Sequence, residues 1–347
     1  MSNVISLGLP HRPNLAQRQA LLMHNFAHNR RGKEDVFWLK ENAEILNMLA
    51  TSGALLGTEA LAPYRDIYDS LEEKLKFFPQ YYRFLMSICL DLEDLGMGSG
   101  KGTALCDWAV RSGLAEAELS DLQRAEALRL VARRGFKGDD PALTERLHRF
   151  MNRPQTFVLP NKKAAYELTH IVFYLSDYGV VNPQLSPAAI TSLEFVGLLA
   201  YLDQDLDLLA EVCVALRFAG HLPSAIWEDW VGAEMSGFIL QSQGSGQGDV
   251  YHTYLVTSWW AEFAERPSFP GVPAQNGLHI TRHASRQGPL RAMSEYMFNL
   301  GTARRGDWEV MRQEMSDIVG QDGLDILCGA EQSCERFGEF FEGFARY

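Results

Sequence analysis

Apolar positions recur at intervals of three and four along most of the chain, the spacing that turns one face of a helix toward a core. Segments 14–29, 35–52, 65–95, 116–134, 142–151, 162–178, 186–219, 224–241, 250–264, 286–300 and 306–319 carry this period and predict helices. Within 65–95, Phe84, Leu85, Ile88, Leu92 and Leu95 share one face. Ser186 followed by Pro187 predicts a helix start, an N-cap hydroxyl ahead of an N1 proline. Strand-like alternation is almost absent, so the pattern predicts an all-α protein.

The helices also repeat. "AEILNMLATSG", "AEALRLVARRG" and "AEVCVALRFAG" begin at Ala43, Ala125 and Ala210, 82 and 85 residues apart. A second element, "SICLDLEDLG" at 87–96, recurs as "HIVFYLSDYG" at 170–179 and more faintly as "LVTSWWAEFA" at 255–264. A unit of about 83 residues is roughly two helical hairpins. Repeat units at 35–115, 116–200 and 201–285, with a C-terminal helical remnant at 286–347, make one α/α-repeat domain of the whole chain, 1–347. Such hairpins stack as an open α-solenoid or close into an α/α toroid around a central cavity. The register equates Ala43, Ala125 and Ala210, and with them Glu44, Glu126 and Glu211.

The glycine-rich run at 96–102 changes this picture little. A phosphate loop needs G-x-x-x-x-G-K-[ST] after a strand. Here Leu95 stands where the first glycine belongs and Gly102 follows Lys101. The segment before it has a helical period, so the run predicts a helix end and a turn on the rim of the repeat. Composition sets wider limits. Hydrophobic residues make up 46% of the chain and charged residues 22%, as in a globular protein. A net charge of −12 argues against nucleic acid or an anionic membrane as partner. No apolar run approaches the roughly 20 residues of a membrane helix. The first residues lack the apolar core of a signal peptide, and five cysteines without a C-x-x-C pair suggest reduced thiols. The expected location is cytoplasmic.

Candidate chemistry gathers in two stretches. In "YELTHIVFYLSDYG", Glu167, His170 and Asp177 fall on one predicted helix face. A carboxylate three residues from a histidine serves as an acid–base pair, with Glu167 orienting His170, or as half of a metal site. The aligned acids Asp94, Asp177 and Glu262 either bond to a neighbouring repeat or ring a cavity mouth. The pairs His24/His28 and His279/His283 have the four-residue spacing of helical metal ligands but no glutamate general base between them. Tyr166, Phe173, Tyr174, Tyr178, Tyr251, Tyr254, Trp259 and Trp260 concentrate on the two candidate inner helices, as packing residues or as a cavity wall.

The second stretch is "GQGDVYHTYLVTSWWAEF", 246–263. Asp249, Tyr251, His252 and Thr253 make it similar to the zinc-histidine segment of protein prenyltransferase β subunits. Upstream, "GFILQSQGSGQGD" resembles the Gln-and-Gly turn of terpenoid cyclases, which share the α/α-toroid fold. The resemblance implies that fold and a metal-ligand role for His252. It implies neither activity: the upstream Asp-x-Cys ligands of prenyltransferases are missing, and "DQDLDL" at 203–208 lacks the adjacent aspartates of the cyclase acid. The whole chain is also similar to a bacterial family marked by the Glu-Leu-Thr-His segment at 167–170, a resemblance that implies no function.

These readings converge on an enzyme acting on a small, partly apolar molecule in a central cavity, by acid–base or metal-assisted chemistry with zinc or iron. His170, Glu167, Asp177 and Asp249 are its catalytic candidates and His252 its metal ligand. The alternative is a helical-repeat scaffold binding a protein or peptide. The two differ in one respect: an enzyme needs His170 and His252 in one pocket.

Overall fold

The structure is a computed structural model that describes residues 13–138, 140–243, 248–283 and 286–346. It is all-helical apart from one small sheet. In chain order the helices are α1 (Leu15–His28), α2 (Val36–Thr51), α3 (Thr58–Leu61), α4 (Arg65–Phe77), α5 (Tyr82–Asp94), α6 (Lys101–Arg111), α7 (Asp121–Ala132), α8 (Leu143–Met151), α9 (Lys162–Leu175), α10 (Pro187–Asp203), α11 (Leu206–Phe218), α12 (Ala225–Met235), α13 (Tyr251–Phe263), α14 (Leu290–Leu300), α15 (Trp308–Ser333) and α16 (Phe337–Ala345). Polar side chains set several starts. Asn14 and Gln17 form a capping box on α1, and the Ser186 hydroxyl accepts from the Ala189 N–H at 3.2 Å. The helix before the glycine-rich run ends at Asp94, and Gly96 turns the chain at φ 99°. Lys101 donates to the carbonyl oxygens of Tyr68 and Asp69, at 2.7 and 3.0 Å, which ties α6 to α4.

Alternate helices touch in a circuit. α2 packs on α5, α5 on α7, α7 on α9, α9 on α11, α11 on α13, and α13 returns to α2. The last contact includes a hydrogen bond from Trp259 Nε1 to Thr51 Oγ1 at 3.1 Å. The helices between them pack outside: α4 on α5, α6 on α5 and α7, α8 on α7 and α9, α10 on α9 and α11, and α12 on α11 and α13. α1 covers the seam. It packs on α2, and its Arg18 and Asn25 bond the carbonyls of Ser268, Phe269 and Ala274 beyond α13. Ala43, Ala125 and Ala210 are all buried, on α2, α7 and α11.

The C-terminal segment forms a further layer, with α14 and α15 on α10 and α15 on α12. This explains the character of α10, which is apolar on all sides because it is covered on all sides. At Gly197 the ring of Trp227 from α12 lies where a Cβ would stand, 2.5 Å away.

Several details depart from the sequence pattern: the predicted helices 65–95 and 186–219 each divide in two, into α4 and α5 and into α10 and α11, and α6 lies in no predicted segment. The predicted helix 224–241 stops at Met235, and β1 (Phe238–Gln241) pairs antiparallel with β2 (His279–Arg282), Phe238 opposite Arg282. A short continuous apolar run fits either element, and the partner strand that decides it lies far along the chain. The predicted helix 306–319 ends at a kink: Gly320 takes φ 67°, and α15 resumes beyond it as far as Ser333. The next helix, α16, falls within the helical remnant predicted at 286–347 but in none of the individual helix segments. No helix among the described residues is long and apolar enough to cross a membrane.

Candidate active site

A cavity of about 230 Å3 lies among the six helices of the circuit, and each contributes to its wall. Glu44, Arg83, Glu126, His170, Glu211 and His252 face it, from α2, α5, α7, α9, α11 and α13 in turn. Glu44, Glu126 and Glu211, the glutamates of the three Ala-Glu segments, all reach this one space. Phe173, Tyr174, Tyr178 and Trp259 supply the apolar part of the wall. Larger clefts exist, one of about 690 Å3 beside Trp308 and Glu331, but neither histidine lines it.

The polar centre is built on α11. Asp205 caps the helix by accepting from the Leu208 N–H at 3.2 Å. Asp207 and Glu211, four residues apart, then project from one face. α9 supplies the hydroxyls that hold them: Tyr166 donates to Asp207 Oδ2 at 2.8 Å and Thr169 to Glu211 Oε2 at 2.6 Å. From α13, His252 Nε2 stands 3.6 Å from Asp207 Oδ2 and 3.7 Å from Glu211 Oε1. Its Nδ1 stands 3.7 Å from Glu44 Oε2 on the opposite side. Glu211 Oε2 also lies 3.7 Å from His170 Nδ1, so one carboxylate, only 2% exposed, sits between both histidines. The Glu44 Oε2, Asp207 Oδ1 and His252 Nδ1 atoms are buried without a hydrogen-bond partner.

Charge follows from this packing. Burial alone would lower the His252 pKa, but Glu211, Asp207 and Glu44 outweigh it and push it up to about 9. Burial, set against the opposing pull of His252, raises the Asp207 carboxyl. For Glu211 burial acts upward as well, yet His170 and His252 together hold the carboxyl below its usual range. Across the cavity Arg83 binds Glu118 and Glu126, at 3.0 and 2.5 Å.

His170 and His252 thus meet in one pocket, and the other predicted site residues lie elsewhere. Glu167 does not orient His170. The His170 Nδ1 lies 2.7 Å from the Tyr166 carbonyl one turn back, and the Glu167 carboxylate faces Lys163 at 3.8 Å. Asp177 follows the end of α9 in a left-handed turn, φ 46°, where the helix-face argument no longer holds, and it binds Arg129 at 2.7 Å. Its counterpart Asp94 binds Arg133 and Arg134, and Glu262 accepts from Ser268, so these acids pair with neighbouring segments.

Asp249 points back toward α1. It takes two hydrogen bonds of 3.0 Å from Arg30, lies 3.0 Å from His279 Nδ1, and accepts from the Tyr251 and Ile280 N–H groups. Burial would raise its carboxyl, but Arg30 outweighs this and holds it below the ordinary range. His279 is a strand residue, and the His283 N–H bonds the Gly237 carbonyl, so this pair is not a helical ligand pair. The rings of His24 and His28 pack edge to face, 5.1 Å apart. Part of the Gln-and-Gly turn, residues 244–247, lies outside the described residues, as do residues 1–12.

Asp207 and Glu211 are site residues that the sequence candidates did not include. Signals for both existed. Glu211 belongs to the Ala-Glu repeat, and the two acids have the four-residue spacing of a shared helix face.

The cavity thus joins a histidine pair, buried acids and an aromatic wall. Comparison with other proteins adds no activity to this. No curated protein and no solved structure matches the chain. One family model matches residues 1–347, under the description Domain of unknown function (DUF6902), and the chain belongs to that family.

Proposed function

We propose that the chain is an α/α-toroid enzyme that converts a small, partly apolar molecule in its central cavity. The closed order of helix contacts supports the toroid, with α2, α5, α7, α9, α11 and α13 inside and α1 as the outer helix of the seam. The alternation of repeat elements supports it too. α2, α7 and α11 carry the Ala-Glu element and α5, α9 and α13 the second one, a threefold arrangement of double hairpins.

The observation that carries the enzymatic reading is that His170 and His252 approach the same buried carboxylate, Glu211, in one cavity. A backbone carbonyl only accepts, so the 2.7 Å contact to Tyr166 puts a hydrogen on His170 Nδ1. The neutral ring then keeps its lone pair on Nε2, on the side away from the helix, as a proton acceptor. His252 and the acids around it supply the opposing charge. Phe173, Tyr178 and Trp259 receive the apolar part of the substrate. The volume is below the roughly 300–1,000 Å3 of drug-sized sites, which suits a small molecule. The five free cysteines suit a reducing compartment such as the cytoplasm.

The test is conversion. Purified protein is incubated with a pool of small metabolites, and the pool is followed by untargeted mass spectrometry. The expected result is a component consumed by the wild type and spared by His170→Asn and Glu211→Gln. Equal consumption by the variants, or none by the wild type, overturns the reading and favours a scaffold.

A further inference from the structure

We propose that Asp207, Glu211 and His252 form a binding site for one divalent first-row transition ion, with Glu44 bracing His252 from behind. The inference deepens the reading of the central cavity as an active site and rests on it for its purpose, though not for its geometry.

Distances carry the argument. The 3.6 and 3.7 Å separations of His252 Nε2 from Asp207 Oδ2 and Glu211 Oε1 are too long for hydrogen bonds. They are close to the edge of a coordination polyhedron. Ligand atoms about 2.0–2.1 Å from a tetrahedral ion stand about 3.3 Å from one another. One atom from each of the three residues lies within 4.8 Å of the other two, so a common centre needs only small side-chain adjustments. No other group of three or more histidine, cysteine, aspartate or glutamate side chains meets this condition among the described residues.

The unpartnered atoms point the same way. A buried polar atom without a partner is costly, and such atoms are rare in native structures. Here Asp207 Oδ1, His252 Nδ1 and Glu44 Oε2 occur together. An ion on the Nε2 side of the imidazole engages Asp207. It also draws the ring into a hydrogen bond between Nδ1–H and Glu44 Oε2, now 3.7 Å apart. Metal-bound histidines usually donate their second nitrogen to a carboxylate in this way.

The neighbouring helix has already fixed both acid ligands. The Tyr166 and Thr169 hydroxyls each bond one oxygen, Asp207 Oδ2 and Glu211 Oε2, and so orient the two carboxylates; Glu211 Oε1 is left for the ion, and Asp207 Oδ2, the atom 3.6 Å from His252 Nε2, keeps a second lone pair for it. Two carboxylates balance the charge of a dication, and one imidazole with two oxygens suits manganese, iron or zinc better than magnesium or calcium. With three protein ligands, the remaining positions open toward the cavity, the arrangement of a catalytic rather than a structural ion.

The experiment uses full-length protein purified without an affinity tag. Metal content is measured as isolated. The chelator-stripped protein is then titrated with Mn2+ and Zn2+ by calorimetry, and circular dichroism checks the fold of every variant. The expected result is one ion per chain. Asp207→Asn, Glu211→Gln and His252→Ala each weaken binding at least about 100-fold, and Glu44→Gln weakens it about 10–100-fold. His28→Ala, outside the cavity, leaves it unchanged. Absence of stoichiometric binding to the wild type, or equal binding by folded Asp207→Asn and His252→Ala, overturns the site. The two readings fail separately. Conversion by a protein that binds no ion stoichiometrically sinks the metal site and keeps the enzyme. Tight binding without any conversion keeps the metal site and sinks the enzyme.

Discussion

The imidazole of His170 gives its Nδ1 hydrogen to the carbonyl oxygen of Tyr166, 2.7 Å away on the same helix. The ring is therefore held in one tautomer by the main chain. Nitrogen-15 spectra of the neutral side chain should show Nδ1 protonated and Nε2 bare. An asparagine at this position keeps a donor near Nδ1 but has nothing at Nε2. His170→Asn should fold with an unchanged thermal midpoint and lose about 100-fold or more in turnover, the usual contribution of a general base. A spectrum showing the Nε2–H tautomer would remove His170 as the base.

The ion pair of Arg30 with Asp249 makes a different kind of prediction. The Arg30 side chain is 5% exposed, also binds Glu41 at 2.8 Å, and rests on the rings of Phe26 and Tyr251. Asp249→Asn leaves this guanidinium short of a partner and should cost about 3 kcal/mol, as broken buried pairs do. The Asp249 carboxyl is held below its ordinary value in the folded state. Its contribution is therefore complete above about pH 4, the unfolded value, and is lost as pH falls through the lower folded value. Denaturant unfolding of wild type and variant should differ most near neutrality and converge in acid. A gap that stays constant down to about pH 2 would contradict this assignment.

Thiol reactivity should single out one cysteine. Cys328 is exposed, whereas Cys89, Cys106, Cys213 and Cys334 are buried. Burial pushes the Cys89 thiol up to about 12 and the Cys106 and Cys334 thiols up to about 11. A thiolate-selective reagent at about pH 8 should modify one thiol promptly in the native protein and all five after denaturation. Fast modification of two or more would mean that the helix layers open readily.

Gly197 tests the packing of α10 against α12. A methyl group there would stand 2.5 Å from the Trp227 ring, which is itself fully buried. Gly197→Ala should cost about 1–3 kcal/mol by overpacking, despite the better helix propensity of alanine. A neutral or stabilising result in a denaturant titration would show that Trp227 can move aside.

The sequence pattern reveals most of the helices and several of the residues that meet, because both depend on local spacing. Ser186 and Pro187 mark the start of α10 through their own chemistry, and the Ala-Glu repeat marks Glu44, Glu126 and Glu211 by period alone. His170 and His252 stand out as histidines on predicted helices.

What the pattern missed depends on partners far away in sequence. Asp207 acquires meaning only from His252 and Tyr166, which sit on two other helices. Asp249 resembles a site residue because its partner Arg30 lies near the other end of the chain, 219 residues away. Asp177 misleads for a smaller reason, since α9 ends two residues too early to carry it onto the shared face. β1 cannot be distinguished from helix without β2. The helix α16 carries Phe337, Phe340, Phe341 and Phe344 at regular helical spacing, yet its neighbours in sequence give no sign of where it packs.

The contact from Trp259 to Thr51 joins positions 208 residues apart. In time, this makes the cavity the last part of the circuit of helix contacts to be completed. Translation at about 5–20 residues per second separates the synthesis of the two partners by about 10–40 s. Through that interval α1 and α2 are already made while α13, the helix that closes against α2, is not yet complete. The cavity cannot be assembled piece by piece as the chain emerges, because Glu44 is among the first of its wall residues to be made and His252 and Trp259 are among the last.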